Sequence, residues 1–206
     1  MRRLRRMGRS FLALVVVLVA GAEGAKAACP TFADVAKGVT VVMKDGSRFE
    51  IQGVKGAEIR LTHRYPTQKD KDTTYVSYGG IIHRRITTER TTVEFSFSSD
   101  LSKLIPERQG QFFTYSFSAR FGTLTYSGTQ MIRFSETRRV TVGACSYDAI
   151  VFEKGTVVPQ FRQEALQRVT FIPALGVVVG WTLTSTRGDN QRESMTLEPT
   201  EIRAGR

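Results

Sequence analysis

The side chains with the most chemistry in this chain are two histidines, two cysteines and two pairs of adjacent arginines. His63 alternates with Ile59, Leu61 and Tyr65, so it shares their apolar face and reads as a packed, hydrogen-bonded residue. It is also the one candidate base for a hydrolase with dispersed residues. His83 adjoins Arg84 and Arg85, whose charge disfavours its protonation, and it reads as a surface residue. Neither begins an H-x-H or H-E-x-x-H pattern, and no cluster of Asp or Glu accompanies them, so no metal site is expected. No G-x-S-x-G elbow and no Gly-rich phosphate loop is present. The glutamates fall mostly on polar strand faces, where sequence cannot pair two of them across a cleft. These absences point away from catalysis: no catalytic residue, no cofactor and no enzyme activity are expected. Arg84-Arg85 and Arg138-Arg139 could hold a phosphate or carboxylate, but neighbours on a strand point to opposite faces, which weakens a two-arginine clamp.

The remaining signal is aromatic. Phe95, Phe97, Phe113, Tyr115, Phe117 and Trp181 all occupy apolar positions of alternating segments. Any sheet needs such residues for its core. Few helices are available to cover a large sheet, however, so these six form a candidate apolar ligand face.

The elements that carry them are strands. Residues 91–98 alternate Val93, Phe95 and Phe97 with Thr92, Glu94 and Ser96, and residues 112–121 repeat the pattern with five apolar positions on one face. The phase shifts at Gly122, which suggests a bulge or sharp bend. Asp45-Gly46-Ser47 between two alternating runs is a hairpin signal. Residues 73–90 hold one long strand or two short ones around Gly79-Gly80, and residues 161–172 lean to strand. Helical signals are confined to short turns near Thr31–Lys37 and Ser99–Leu104. The expected fold is all-β: a single antiparallel, strongly curved sheet or open barrel, with one or two short helical turns. Closed barrel, open sheet and sandwich are not distinguished at this level.

The N-terminus is read separately. Arg2, Arg3, Arg5, Arg6 and Arg9 precede a 12-residue apolar run, Phe11–Ala22, and then Ala25-Lys26-Ala27. Basic, apolar and small-residue regions in that order predict a cleaved signal peptide over 1–27, leaving a single β domain over 28–206. At ~1.5 Å per residue the run spans roughly 18 Å, too short for a ~30 Å hydrocarbon core. The membrane is thus met only transiently, and a periplasmic location is expected. The whole chain carries a formal +11, but the leader holds six basic residues against Glu23, so +6 remains on the rest. That balance suits an anionic envelope surface better than nucleic acid, which an exported protein seldom meets. Export also reaches an oxidising compartment, where Cys29 and Cys145 are expected to form a disulfide. The rival is acylation of Cys29, disfavoured by Lys26 where a lipoprotein signal needs a Leu-like residue.

Two segments, Val142-Gly143-Ala144-Cys145-Ser146-Tyr147-Asp148-Ala149 and Phe171-Ile172-Pro173-Ala174-Leu175-Gly176-Val177-Val178, resemble the C-terminal parts of uncharacterised exported proteins of Gram-negative bacteria. The resemblance covers about a third of the chain and implies a half-barrel like that of periplasmic lipoprotein carriers. It carries no catalytic residues. The leading expectation is a non-enzymatic envelope protein that binds a hydrophobic or amphipathic ligand, or a lipidated partner. The alternative is an interaction module using a basic face or a sheet edge.

Overall fold

Asp45 starts the fold in miniature. Its carboxylate accepts hydrogen bonds from the backbone N–H (2.9 Å) and hydroxyl (2.7 Å) of Ser47, and Gly46 takes the positive φ of 83° that the turn requires. This turn joins β1 (Val39–Met43) to β2 (Arg48–Lys55) in a hairpin. The computed structural model describes residues 29–55, 58–187 and 191–205. The leader read over 1–27 lies outside the described residues.

The hairpin step then repeats along the chain. β3 (Glu58–Arg64), β4 (Thr73–Tyr78), β5 (Ile82–Thr87), β6 (Thr92–Phe97) and β7 (Phe112–Phe121) each pair antiparallel with the strand before. So do β8 (Leu124–Val142), β9 (Cys145–Val158), β10 (Gln163–Ile172), β11 (Val177–Arg187) and β12 (Gln191–Leu197). The last strand, β13 (Pro199–Ala204), pairs with β1 instead. Thus β12 and β13, separated only by Glu198, form the two edges of one 13-stranded sheet. The result is a nearly closed antiparallel barrel with one seam. At the seam a Cβ on Gly180 would stand 2.8 Å from the Leu197 carbonyl oxygen and 3.1 Å from Pro199, so only glycine fits where the chain changes sides.

The helical turns are as short as expected. One four-residue helix, α1 (Phe32–Val35), is capped by hydrogen bonds from Thr31 to the Asp34 carboxylate, and a single 3-10 turn at Leu101–Lys103 stands where Ser99–Leu104 suggested one. Further 3-10 turns occupy Lys69–Lys71 and Pro159–Phe161. Gly122, with φ 57°, makes the tight turn between β7 and β8, and Gly79-Gly80 separates β4 from β5. Cys29 and Cys145 form the expected disulfide, closing 116 residues of separation and fastening the segment before α1 to the start of β9. The Tyr147 hydroxyl donates to the Pro30 carbonyl (3.1 Å) beside it.

The inward positions form a chain of three apolar clusters. The largest joins β1, β2 and β3 to the disulfide end of β8–β11, with Phe49, Ile51, Val41, Leu175 and Val177 at its centre. The second packs Ile132, Phe152 and Val169 with Ile81 and Leu104 from two loops and Ile82 from the start of β5. The third is small: Phe117, Ala119 and Val158, with half-buried Val93, Phe95 and Phe97 around them. Phe117 lies flat over Gly128, where a Cβ would come within 2.5 Å of its ring.

Candidate functional site

Strand phase decides which charges enter the barrel. In β9 the buried face runs through Cys145, Tyr147, Ala149 and Val151, then switches at Phe152. The switch sits beside an extra residue in β8, where Phe134 pairs with Phe152 but Glu136 pairs with Val151. Beyond it Phe152, Lys154, Thr156 and Val158 face inward. Glu153 is left outside, ion-paired with Arg133. Had the phase continued, the carboxylate would point in and the lysine out.

Lys154 is therefore a buried cation, 4% exposed. Its ammonium donates to the Ile81 carbonyl at 3.1 Å, its only hydrogen bond among the described residues, and no described carboxylate is paired with it. Burial pushes its pKa down to about 8. An ammonium carries three donors, so two point away from Ile81. Lys154 also lines a cavity of about 60 Å³ with Leu61, Tyr75, His83, Gln167 and Trp181.

His83 is part of this site rather than a surface residue. Val76 pairs with Arg85 and Ser77 with His83, so Arg84 is the extra residue of a bulge. The bulge turns both arginines outward and leaves the imidazole to hydrogen-bond the buried Ser77 hydroxyl at 2.7 Å through Nδ1. It packs against the Tyr75 ring at 5.0 Å. Burial, and then the Lys154 charge, hold its pKa well below the ordinary histidine value, so it is neutral at neutral pH. Arg84 and Arg85 make separate ion pairs, with Glu58 (3.1 Å) and Glu94 (2.9 Å). Arg138 donates to Thr170, and Arg139 approaches Asp148 at 3.9 Å. Neither pair acts as a clamp.

His63 is buried against Phe49 (4.7 Å), Tyr65 (4.2 Å) and Trp181 (6.3 Å). Its Nε2 is 3.0 Å from the Ser47 hydroxyl. That hydroxyl has a single proton, which goes to Asp45 at 2.7 Å, so His63 must donate rather than accept. This is the reverse of what nucleophile activation needs. Burial lowers the His63 pKa, partly offset by Asp45 and Asp72.

The six aromatic candidates divide between two places. Phe97 and Tyr115 (5.6 Å) and Phe95 and Phe117 (5.7 Å) meet across β6 and β7, and half-buried Phe113 follows on β7 beside Ile132. Above them the Tyr115 hydroxyl donates to Gln130 (2.8 Å), whose amide donates to Thr156 (3.1 Å), a polar belt one step along β9 from Lys154. Trp181 instead stacks on Phe49 at 4.9 Å and lines the lysine cavity. The middle cluster connects the two, since Phe97, Tyr115 and Trp181 all pack on it. Lys154 and its cavity were not singled out from sequence. The available signal was a lysine two residues from Phe152 and four from Val158, on their face of a strand.

No family model and no curated protein matches this chain. One solved structure, that of the hypothetical lipoprotein YmcC from Escherichia coli, is similar with a TM-score of 0.47 at 9% identity, over 79% of this chain and 86% of that one.

Proposed function

We propose that this is a non-enzymatic, exported protein of the cell envelope, located in the periplasm, that binds an amphipathic ligand inside its barrel. The observation that carries the reading is the cavity beside Lys154, a buried cation connected through the middle cluster to half-exposed aromatic rings. A folded protein keeps an unpaired ammonium out of water at a cost, and such a cost is usually retained for function. The disulfide supports export, because such bonds persist in oxidising compartments, and the leader over 1–27 agrees with it.

The test is native mass spectrometry of the exported product, purified gently without reductant from cells expressing the full chain. The expected mass is that of residues 28–206 with one disulfide, accompanied by a reproducible lipid-sized adduct. A bare protein that also takes up no apolar fluorescent probe would remove ligand binding.

A further inference from the structure

We infer that Lys154 anchors the head group of that ligand and that the head group is a carboxylate. The inference rests on the ligand-binding reading above and adds the chemistry of recognition. Size comes first. A cavity of about 150 Å³ takes up a single benzene ring, so one of about 60 Å³ holds a few waters or one compact head group and is too small for an acyl chain. The tail must therefore lie elsewhere, and the half-buried Phe97, packed on the middle cluster, offers apolar surface for it.

Charge and donors come next. The described lining supplies an ammonium with two uncommitted N–H groups, the Gln167 amide and the rings of Tyr75, His83 and Trp181, and no described residue of it is a carboxylate. An oxygen anion is the partner such a set lacks, since buried charges are ordinarily paired. A neutral head would leave the cation uncompensated, and a cationic head would be repelled by it. Fixed backbone at the other side of the ammonium, the Ile81 carbonyl in the tucked β4–β5 turn, holds the amine in place before the ligand arrives.

Trp181 is the only tryptophan in the chain and lines the cavity, so its emission reports occupancy. The experiment titrates the folded protein with dodecanoate and, separately, with dodecanol, following Trp181 fluorescence and checking by calorimetry, for the native chain and for Lys154→Met. The native protein should bind dodecanoate at least about tenfold more tightly than dodecanol, and Lys154→Met should abolish that preference while leaving dodecanol binding intact. In the native protein, the NMR titration midpoint of the Lys154 Cε should rise when dodecanoate is bound and stay fixed with dodecanol, because a nearby anion favours the charged amine. Undiminished dodecanoate binding by a folded Lys154→Met, or a midpoint unmoved by saturating dodecanoate, would overturn the anchor while leaving barrel binding standing. Failure of both amphiphiles to bind the native protein would overturn the binding reading and the anchor together.

Discussion

The disulfide end of the barrel and the β6–β7 side are built from the same residue types and finished differently. Around Cys29–Cys145, Phe49, Ile51, Val39, Val41, Leu175 and Val177 are all shut away from water, and a disulfide, a capped helical turn and the Tyr147–Pro30 hydrogen bond seal them. Along β6 and β7, Val93, Phe95, Phe97 and Phe113 keep part of their surface exposed, with no α-helix over them among the described residues. A sealed core contributes stability, while half-exposed rings contribute less and can yield to a guest. The fold concentrates its stability at one end and leaves the opposite side adaptable.

The sharpest way to break that contrast is to cut the disulfide. Its loop spans 116 residues, for which loop entropy alone gives about 4–5 kcal/mol. The double variant Cys29→Ser, Cys145→Ser should melt roughly 10–20 °C lower than the native protein by circular dichroism. Uptake of an apolar probe well below that transition should be unchanged, because the probe's surface lies on the other strands. A small change in melting would mean that the sealed end does not dominate stability. The next comparison sets two phenylalanines against each other. Phe49→Ala empties a fully buried site and should cost about 3–5 kcal/mol, whereas Phe95→Ala, at a half-exposed site, should cost about 1–2 kcal/mol. Equal costs in chemical denaturation would erase the distinction between the two regions.

The architecture was legible because period-2 alternation and turn chemistry are local. Phe113 to Ala119 named its own inward face, although Phe121 at the strand's end stays exposed; Asp45-Gly46-Ser47 named its own hairpin, and residues 161–172 resolved as strand from Gln163 onward. Closure was not legible, since it depends on Glu198 carrying the chain from one edge of the sheet to the other, a long-range event with no local signature. The candidate site was half legible. Alternation placed His63 and the aromatic residues inward, but bulges reassign faces one residue at a time. Arg84 as an extra residue turned His83 inward, and the phase switch at Val151–Phe152 brought in Lys154 instead of Glu153. Trp181 was grouped with the β6–β7 rings by residue type, and only the folded sheet shows it stacked on Phe49.

The same β9 strand predicts an inverted pH effect. Lys154 titrates near 8 in the folded state against 10.5 when exposed, so between those values the unfolded chain holds more protons. Stability contributed by this residue is therefore lowest below pH 8 and recovers as pH rises toward 10.5, the opposite of a paired lysine. The shift corresponds to about 3 kcal/mol. Set against about 1 kcal/mol for the lost bond to Ile81, Lys154→Met should be more stable than the native protein by about 2 kcal/mol at pH 7. The gain should disappear by pH 10.5 in denaturation series run across that range. The groups facing the amine, His83 from β5 and Tyr75 from β4, should not reproduce the trend: His83 is held well below 6.5 and Tyr75 is raised to about 12.

The smallest effect belongs to the outer face of β6, one residue from Phe95. Glu94 bridges Arg120 (2.7 Å) and Arg85 (2.9 Å) across three strands, and these bonds hold its pKa below the usual carboxylate value, Arg120 contributing first. Its stabilising contribution is present above the ordinary carboxylate range and is lost as pH falls through the depressed folded value. Water and salt screen an exposed pair, so Glu94→Gln should barely move the melting temperature at neutral pH, and added salt should erase what remains. Lys154→Met should keep its effect in the same salt, because its charge is removed from solvent. If salt abolished both effects alike, the amine would be in contact with bulk solvent and would not be the buried charge that its low exposure describes.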